Sequence, residues 1–530
     1  MDHLTHHLLR ASVERYPERI GLVHSERRLT YAELDRASDR LARAFLGAGL
    51  GRLERVAVFL EKSVEETLAI LSASKAGGVF VPINHLLFPE QVEHILRDCT
   101  PKILVTSRAR LAQLTEVVER APGLTCVVVT DGPPETQAGP RRVLELSRVL
   151  DPLEPGLDGP PRIASISNDL AAILYTSGST GKPKGVMLSH ANLLAGARIV
   201  STYLKITESD RILSVLPFSF DYGLNQLLTG LAQAATVILL SFRFPGEVVN
   251  AIRNEQATGL AGVPSFWTLL SQPGSPVHRQ PLPSLRYITN SGGAVPRPLY
   301  DALRKALPTT EIYLMYGLTE AFRSTYLPPE EADRRPGSMG KAIPDTEIYV
   351  VNERGGMCQP GEPGELVHRG PTVSLGYWGL PEATAKVLRP NPLALPQVGN
   401  AEPVCYSGDI VKMDEDGFLY FIGRRDATIK CAGHRISPTE VEEILIGTQR
   451  VREAAAIGIP DELMGQAVLA VVVARDGQPI DVDALLADCA LKMPRYMIPR
   501  RVEVVTSLPK TAHGKIDYPF LRRQYASAPA

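Results

Sequence analysis

Cysteine is sparse in this chain, and no two cysteines stand at a spacing that could share a metal. The six of them, Cys99, Cys126, Cys358, Cys405, Cys431 and Cys489, have no CxxC and no paired histidine pattern. That excludes a zinc module and leaves isolated reduced thiols as the expectation. Charge of one sign is also missing: 57 Lys and Arg stand against 58 Asp and Glu. Overall charge therefore recruits neither nucleic acid nor an anionic membrane, and recognition must be local. Long hydrophobic runs are absent too. The stretch AATVILL at 234–240 falls far short of the ~20 residues that cross a bilayer. The opening MDHLTHHLLRASVERYPERI lacks the apolar core of a signal peptide, so no membrane span and a cytoplasmic location are expected. His3, His6 and His7 in that segment read as a solvated helix rather than a metal site.

What is present is the balance of a globular protein, with 22% charged and 44% hydrophobic residues over 530 positions, enough for roughly three folding units. From Leu29 the pattern alternates. LTYAELDRASDRLARAFLGAGL has apolar residues at helical spacing, RVAVFL is a compact strand, ETLAILSASKAG is helical, and GVFVPIN returns to strand. Such alternation predicts an α/β fold with layered, largely parallel β-sheets. Two stretches rich in Pro and Gly, Asp131 to Pro161 and Arg389 to Val404, read as surface loops. The domain border falls near GFLYFIGRRDATIKCAGHRISPTEVEEIL. There a hairpin-like run passes through GRRD into a new strand, then a helix opened by Ser437, Pro438 and Thr439. This gives a large N-terminal domain, 1–423, and a small C-terminal α/β domain, 424–530.

The stretch LYTSGSTGKPKGV at 174–186 carries hydroxyls, glycines and two lysines directly behind an apolar strand, the materials of a phosphate site. It is not the common nucleoside-triphosphatase loop, which requires glycine where Thr176 stands and Ser or Thr where Pro183 stands. Pro183 removes a backbone donor and disfavours helical geometry at Lys182, so an open strap is expected rather than a helix-capped nest.

This segment resembles the signature loop of the adenylate-forming superfamily, which includes acyl-CoA synthetases, amino-acid adenylation domains and luciferases. Further stretches resemble that family in the expected order: YLMYGLTE at 313–320, YSGD at 406–409, GRRDATIKCAGHRISPTEVE at 423–442 and PKTAHGKID at 509–517. The resemblance covers nearly the whole chain. It implies an ATP-dependent ligase in which a carboxylate attacks the α-phosphate of ATP, pyrophosphate departs, and a thiol then takes the acyl group from the adenylate. It also implies a small C-terminal domain that swivels between the two half-reactions.

Roles follow from the resemblance position by position. Thr176, Ser177, Gly178, Ser179, Thr180, Gly181, Lys182 and Lys184 would hold the phosphates, with Thr180 and Lys182 aiding the departing pyrophosphate. Glu320 would ligate Mg2+, an ion suited to hard oxygen donors. Tyr316 offers a flat face to adenine, Gly292, Gly293 and Ala294 of NSGGAVP let backbone approach the base, and Gly317 and Thr319 complete that wall. Asp409 would accept from the ribose hydroxyls with help from Arg424. Lys515 would bridge the carboxylate and the α-phosphate, stabilising charge that grows in the transition state. Asp426 matches the hinge, while Lys430 and Gly433 match the strand and loop that form the thiol channel.

The stretch LPFSFDYGLNQ at 216–226 bears on the acid. Phe220, Asp221 and Gly317 are the candidate substrate residues, and Asp221 resembles the aspartate that amino-acid-activating members place against the substrate's α-ammonium. An unpaired buried carboxylate costs several kcal/mol, roughly, so a cationic partner is expected if Asp221 faces the pocket. The run MYGLTEAFRSTYLPPEE resembles stand-alone ligases that load proline onto carrier proteins, and acyl ligases associated with exosortase and polysaccharide export. An amino or imino acid is therefore favoured over a fatty or aryl acid. No GxDSL-type serine motif occurs in the sequence, so the acceptor is expected to be external, either CoA or the phosphopantetheine of a separate carrier protein. An oxygenase of luciferase type and a catalytically silent nucleotide binder are the alternatives. The intact lysine and hinge weigh against silence, and nothing in the sequence supports oxygenase chemistry.

Overall fold

The structure is a computed structural model that describes residues 3–133, 140–151, 161, 163–176, 183–395, 397, 402–425, 427, 429–431, 434–461, 465–475, 479–511 and 514–525. Its strands fall into three sheets. The first has seven strands, in the order Arg142–Glu145, Cys126–Val129, Ile103–Thr106, Arg55–Phe59, Val79–Pro82, Leu170–Thr176 and Lys184–Ser189. All neighbours are parallel except the last two, which form an antiparallel hairpin. Three of these strands are buried at every residue, and Arg55–Phe59 at every residue but Arg55, the pattern expected when helices cover both faces of a parallel sheet. The helix Tyr31–Gly47 opens with a Thr30–Glu33 capping box, and the helix Val64–Lys75 is buried almost throughout.

The second sheet has fourteen strands and changes character along its width. Thr236–Leu239, Arg211–Ser214, Gly259–Gly262, Tyr287–Asn290 and Glu311–Leu318 lie parallel in that spatial order. The hairpin into Ala321–Leu327 then reverses direction, and Ser338–Ala342, Leu419–Arg424, Pro403–Met413, Gly364–Arg369 and Glu347–Val351 continue antiparallel. Ligands of α/β sheets gather beyond the carboxyl ends of parallel strands. Here those ends carry SGGA after Asn290 and GLTE after Tyr316.

The third sheet has five strands and lies wholly within residues 429–505: Ile429–Cys431, His434–Ile436, Val451–Asp461, Gly465–Ala474 and Arg501–Val505. The helices Pro438–Gly447, Val482–Ala490 and Tyr518–Tyr525 accompany it. The first of these is capped by Ser437, whose hydroxyl accepts from the Glu440 amide at 3.3 Å, with Pro438 in the first turn. The third starts at Tyr518, so the Tyr518–Pro519 pair after Asp517 opens a helix, as Pro does readily in a first turn.

Three expectations need correction. The sheets are not largely parallel, because seven strands of the second sheet, Ala321–Leu327 among them, follow the antiparallel turn. The stretch from Asp131 is not only loop: Arg142–Glu145 is an edge strand and Leu146–Leu150 a helix, since RRVLELSRVL supplies apolar residues that the sheet edge and the Tyr31–Gly47 helix can cover. Likewise Leu388–Pro390 pairs with Pro403–Cys405. The N-terminal histidines are not a solvated helix either. His6 is 6% exposed, its Nδ1 lies 3.0 Å from the Ser74 hydroxyl, and burial pulls its pKa well below the ordinary value. All six cysteines are buried and unpaired, as expected. Among the described residues no helix is long and apolar enough to cross a membrane.

Candidate active site

Lys515 comes from a tight turn beyond the third sheet. The Thr511 amide donates to the Lys515 carbonyl at 2.7 Å, the Gly514 amide to the Thr511 carbonyl at 2.8 Å, and Lys510 bridges to Ile516. Gly514 has φ +77, a conformation that favours glycine. The turn is docked on the large body, where the Ser265 hydroxyl donates to the Gly514 carbonyl at 3.1 Å. The side chain projects into the crevice beyond the parallel strands, with Nζ 5.4 Å from the centre of the Phe220 ring. It stays solvent-accessible because the crevice is open. Protein nevertheless surrounds it, and desolvation lowers its pKa below the usual lysine value, against the opposing pull of Asp221, Glu320 and Asp409.

Gly292 explains how the lysine fits. Its φ is +84, and a Cβ there would lie 3.0 Å from Lys515 Cε. Gly292 gives room to Lys515, and a Cβ on Gly293 would meet Pro264 at 3.1 Å. Asn290 Nδ2 braces the turn by donating to the Gly293 carbonyl at 2.9 Å.

The hairpin Glu311–Leu318/Ala321–Leu327 carries the next group. Its register shifts between Tyr316 and Leu318. Arg323 sits at φ +111, and a Cβ on Gly317 would lie 3.2 Å from the Arg323 Cα. Gly317 thus serves the close approach of two backbones. Glu320 accepts from the Tyr377 hydroxyl at 2.6 Å, and the Tyr377 ring has Lys184 Nζ 5.5 Å from its centre. Tyr377, in the segment LGYWG, therefore couples Glu320 to the base of the phosphate strap. Burial, with Glu320 next, raises its pKa. Sequence reasoning missed it. A tyrosine inside a Gly-rich segment is the only local signal, and its partner is 57 positions away.

Farther along the same sheet, the Tyr316 hydroxyl donates to Asp409 Oδ2, and Arg424 Nη1 donates to Asp409 Oδ1 at 2.8 Å and to the Ser407 carbonyl at 2.9 Å. Each Asp409 oxygen thus accepts from a protein donor, which fixes the orientation of the carboxylate. The Tyr316 ring is stacked on His368, with ring centres 6.1 Å apart and planes at 14°, and it packs against the cluster around Met339 and Leu366. His368 is fully buried, and burial holds it neutral with a pKa of about 3.

Asp221 opens the helix Asp221–Gln233. A Cβ on Gly223 would fall 2.1 Å from the Pro217 carbonyl oxygen, so this sharp strand-to-helix turn needs glycine. The cation expected for Asp221 is present in the chain itself: Arg323 Nη2 lies 3.3 Å from Asp221 Oδ2, with both side chains at most 4% exposed. The Thr319 hydroxyl donates to Asp221 Oδ1 at 3.3 Å. Arg323 was not foreseen, because in EAFRST it reads as an ordinary strand arginine.

At the strap, Thr176 pairs with Lys184 across the hairpin, and Lys184 begins a strand, not a helix, which agrees with the rejection of a helix-capped loop. Ser177, Gly178, Ser179, Thr180, Gly181 and Lys182 lie outside the described residues, as do Asp426, Gly433 and the Lys430 side chain. Among the described residues no three His, Cys, Asp or Glu side chains cluster as a metal cage. Glu320 alone suits Mg2+, which commonly binds through one carboxylate together with substrate phosphates and waters.

The arrangement can gather anions. An ammonium, the base of a hydroxyl-rich strap and a single carboxylate for a hard cation converge on one crevice, with an acceptor pair and an aromatic face beside them. The model of the family described as "AMP-binding enzyme" matches residues 9–378, and that of "AMP-binding enzyme C-terminal domain" matches residues 440–515. Feruloyl-CoA synthase from Amycolatopsis sp is 33% identical over 513 residues, covering 96% of each chain. Tyrocidine synthase 1 from Brevibacillus parabrevis is 31% identical over 522 residues, covering 97% of this chain but 44% of its own length. Among solved structures, the anthranilate CoA ligase AuaEII in complex with anthranoyl-AMP superimposes with a TM-score of 0.88 at 26% identity, covering 99% of this chain and 98% of that one.

Proposed function

The chain belongs to the AMP-binding enzymes, the adenylate-forming superfamily of acyl-CoA and aminoacyl ligases, and on that premise we propose that it joins a small carboxylic acid to a pantetheine thiol in two steps. In the first, a carboxylate oxygen attacks the α-phosphorus of ATP, and the bond to pyrophosphate breaks. In the second, a thiol sulfur attacks the acyl carbon, the bond to AMP breaks, and a thioester forms. CoA and the phosphopantetheine of a separate carrier protein present the same thiol.

The observation that carries this reading is the delivery of Lys515 into the crevice of the large body, against Phe220 and beside Gly292. An ammonium there meets the charge that develops as carboxylate and α-phosphate join. The strap residues 177–182, with Thr176 and Lys184, would neutralise the departing pyrophosphate, with Thr180 and Lys182 foremost. Glu320, oriented by Tyr377, would hold Mg2+ on the phosphates. Tyr316 and the segment Gly292–Ala294 would border adenine, and Asp409 with Arg424 the ribose.

Division of the chain at 423/424 is supported by the end of the second sheet at Arg424 and the start of the third at Ile429. Asp426 falls in between as the hinge. Rotation about it would withdraw Lys515 and bring Lys430 and Gly433 to line the thiol channel. For the acid we favour an amino or imino acid such as proline. Its ammonium would reach Asp221, which pulls on Lys515 and is held, among the described residues, by Arg323 and Thr319 at 3.3 Å each.

ATP–pyrophosphate exchange with a panel of amino, aryl and fatty acids, followed by trapping with CoA or a carrier protein, tests the reaction. Lys515→Ala should lose exchange by about 100-fold or more and still bind ATP. Unchanged exchange in that variant would sink the proposal.

A further inference from the structure

Arg323, the partner of Asp221, lines a cavity of about 20 Å³ walled by apolar side chains such as Val200, Leu260 and Met315, with Asn225 and Gln226 also on its lining. Asn225, Gln226 and Arg323 are 2%, 6% and 2% exposed, and their hydrogen bonding is incomplete. Among the described residues neither Asn225 Nδ2 nor Oδ1 has a hydrogen-bond partner, nor has Gln226 Oε1, and Arg323 Nη2 makes no aligned hydrogen bond. A buried polar atom left unpaired costs about 1–3 kcal/mol, and here four of them belong to residues that line one cavity. They are two donors and two acceptors. A carboxylate would set its lone pairs against Asn225 Oδ1 and Gln226 Oε1, and the charge of Arg323 is already offset by Asp221 at 3.3 Å. An alkyl group would leave all four atoms unpaired. The volume exceeds the ~10–15 Å³ that one water-sized group needs and is far below what an aromatic ring needs.

We infer that the acid activated by this chain carries, beyond its reacting carboxyl, a compact neutral group that both donates and accepts hydrogen bonds, a hydroxyl or carboxamide, read by Asn225, Gln226 and Arg323. The inference rests on the amino-acid ligase reading above and narrows it: the ammonium goes to Asp221, and the polar end of the side chain goes past it into this cavity. Tyr222 and Thr289, hydrogen-bonded to each other through their hydroxyls, form part of the wall and keep the polar end from water. A site built to hydrogen-bond a substrate group rejects the analogue lacking it far more strongly than an apolar pocket rejects an extra methylene.

The test is ATP–pyrophosphate exchange on the full chain with matched pairs: serine against alanine, threonine against valine, asparagine against leucine and against aspartate, hydroxyproline against proline. At least one polar neutral member should exceed its apolar and acidic counterparts by about 100-fold in kcat/KM. Asn225→Leu and Gln226→Leu should shrink that ratio by about tenfold or more while the apolar partner is used as well or better. That inversion is one that partial unfolding cannot produce, because both acids are assayed on the same variant. Apolar partners preferred throughout, or ratios unmoved in both variants, would overturn the inference and leave a trapped water as the partner of the orphaned atoms. A preference for aspartate would overturn it in favour of an anionic group. Absence of exchange with every carboxylic acid, with ATP still bound, would instead overturn the ligase reading beneath it.

Discussion

Adding one methyl group at Gly292 should separate the two half-reactions. The new Cβ would lie 3.0 Å from Lys515 Cε, whereas carbon atoms rest at about 3.5–4.0 Å, so the lysine must retreat by about 0.5–1 Å. The position also has φ +84, which costs a non-glycine residue about 1–3 kcal/mol. Misplacing a reacting group by about 1 Å costs about 100-fold in rate. Gly292→Ala should therefore slow pyrophosphate exchange about 10- to 100-fold and lower the unfolding free energy by the strain term. Thiolysis of an acyl adenylate supplied at saturation, which offsets any loss of adenine contact beside Gly292, should slow far less than exchange, because that half requires Lys515 to have left. Exchange and thiolysis are measured on the same preparation, with urea denaturation as the check on folding. Exchange at the original rate, with the expected destabilisation present, would refute the placement of Lys515 at the reacting atoms. Equal slowing of both halves would refute the separation of the two conformations.

Removing one partner of the buried Asp221–Arg323 pair should cost about 3–5 kcal/mol. Asp221→Asn and Arg323→Gln together should recover most of that loss in urea denaturation, and a coupling under about 0.5 kcal/mol would show no pair. Tyr377→Phe removes the 2.6 Å hydrogen bond to Glu320; the Mg2+ concentration for half-maximal exchange should rise about tenfold or more, with the saturated rate largely kept. Burial raises the Glu442 carboxyl from 4.5 to about 8, while it accepts from the Ala456 amide at 2.8 Å and the Tyr518 hydroxyl at 2.7 Å. Because the folded chain holds that proton more tightly than the unfolded one, the contribution is complete below pH 4.5 and is lost as pH rises toward 8. The Tm should fall across that window, and Glu442→Gln should flatten the fall.

What was legible in the sequence was what is local. Ser437 and Pro438 announce a helix start because capping depends on a hydroxyl and a fixed φ within one turn. The strands at Arg55–Phe59 and Val79–Pro82 announce themselves by unbroken apolar runs, because both faces are covered. The alternation of helix and strand gave no warning of the antiparallel half of the second sheet, since antiparallel strands there follow hairpins and long loops rather than helices. The edge strand Arg142–Glu145 was hidden for a related reason: its neighbours in sequence are polar, and its partner Cys126–Val129 is identifiable only once the sheet exists. The stations of Lys515, Glu320, Tyr316 and Asp409 could be anticipated only through the family resemblance. The partners that orient them could not. Tyr316 reaches Asp409 across 93 positions, and no period or spacing encodes that.

Arg323 makes the physical point most sharply. In sequence it is one residue of an alternating strand, and alternation alone does not say whether it faces water. The register shift in the hairpin, with Gly317 pressed on its Cα, holds it at φ +111 and turns a guanidinium into the interior. Burying that charge is tolerable only against Asp221, and keeping Asp221 buried is tolerable only against Arg323. Neither residue can then be substituted freely, and together they supply a neutral base on which the pocket rests. The crevice itself is arranged differently. Enclosure lowers the Lys515 pKa, and Asp221, Glu320 and Asp409 pull against that lowering. A side chain pulled by three carboxylates, rather than locked to one, can be drawn toward an incoming anion without first breaking a single strong pair.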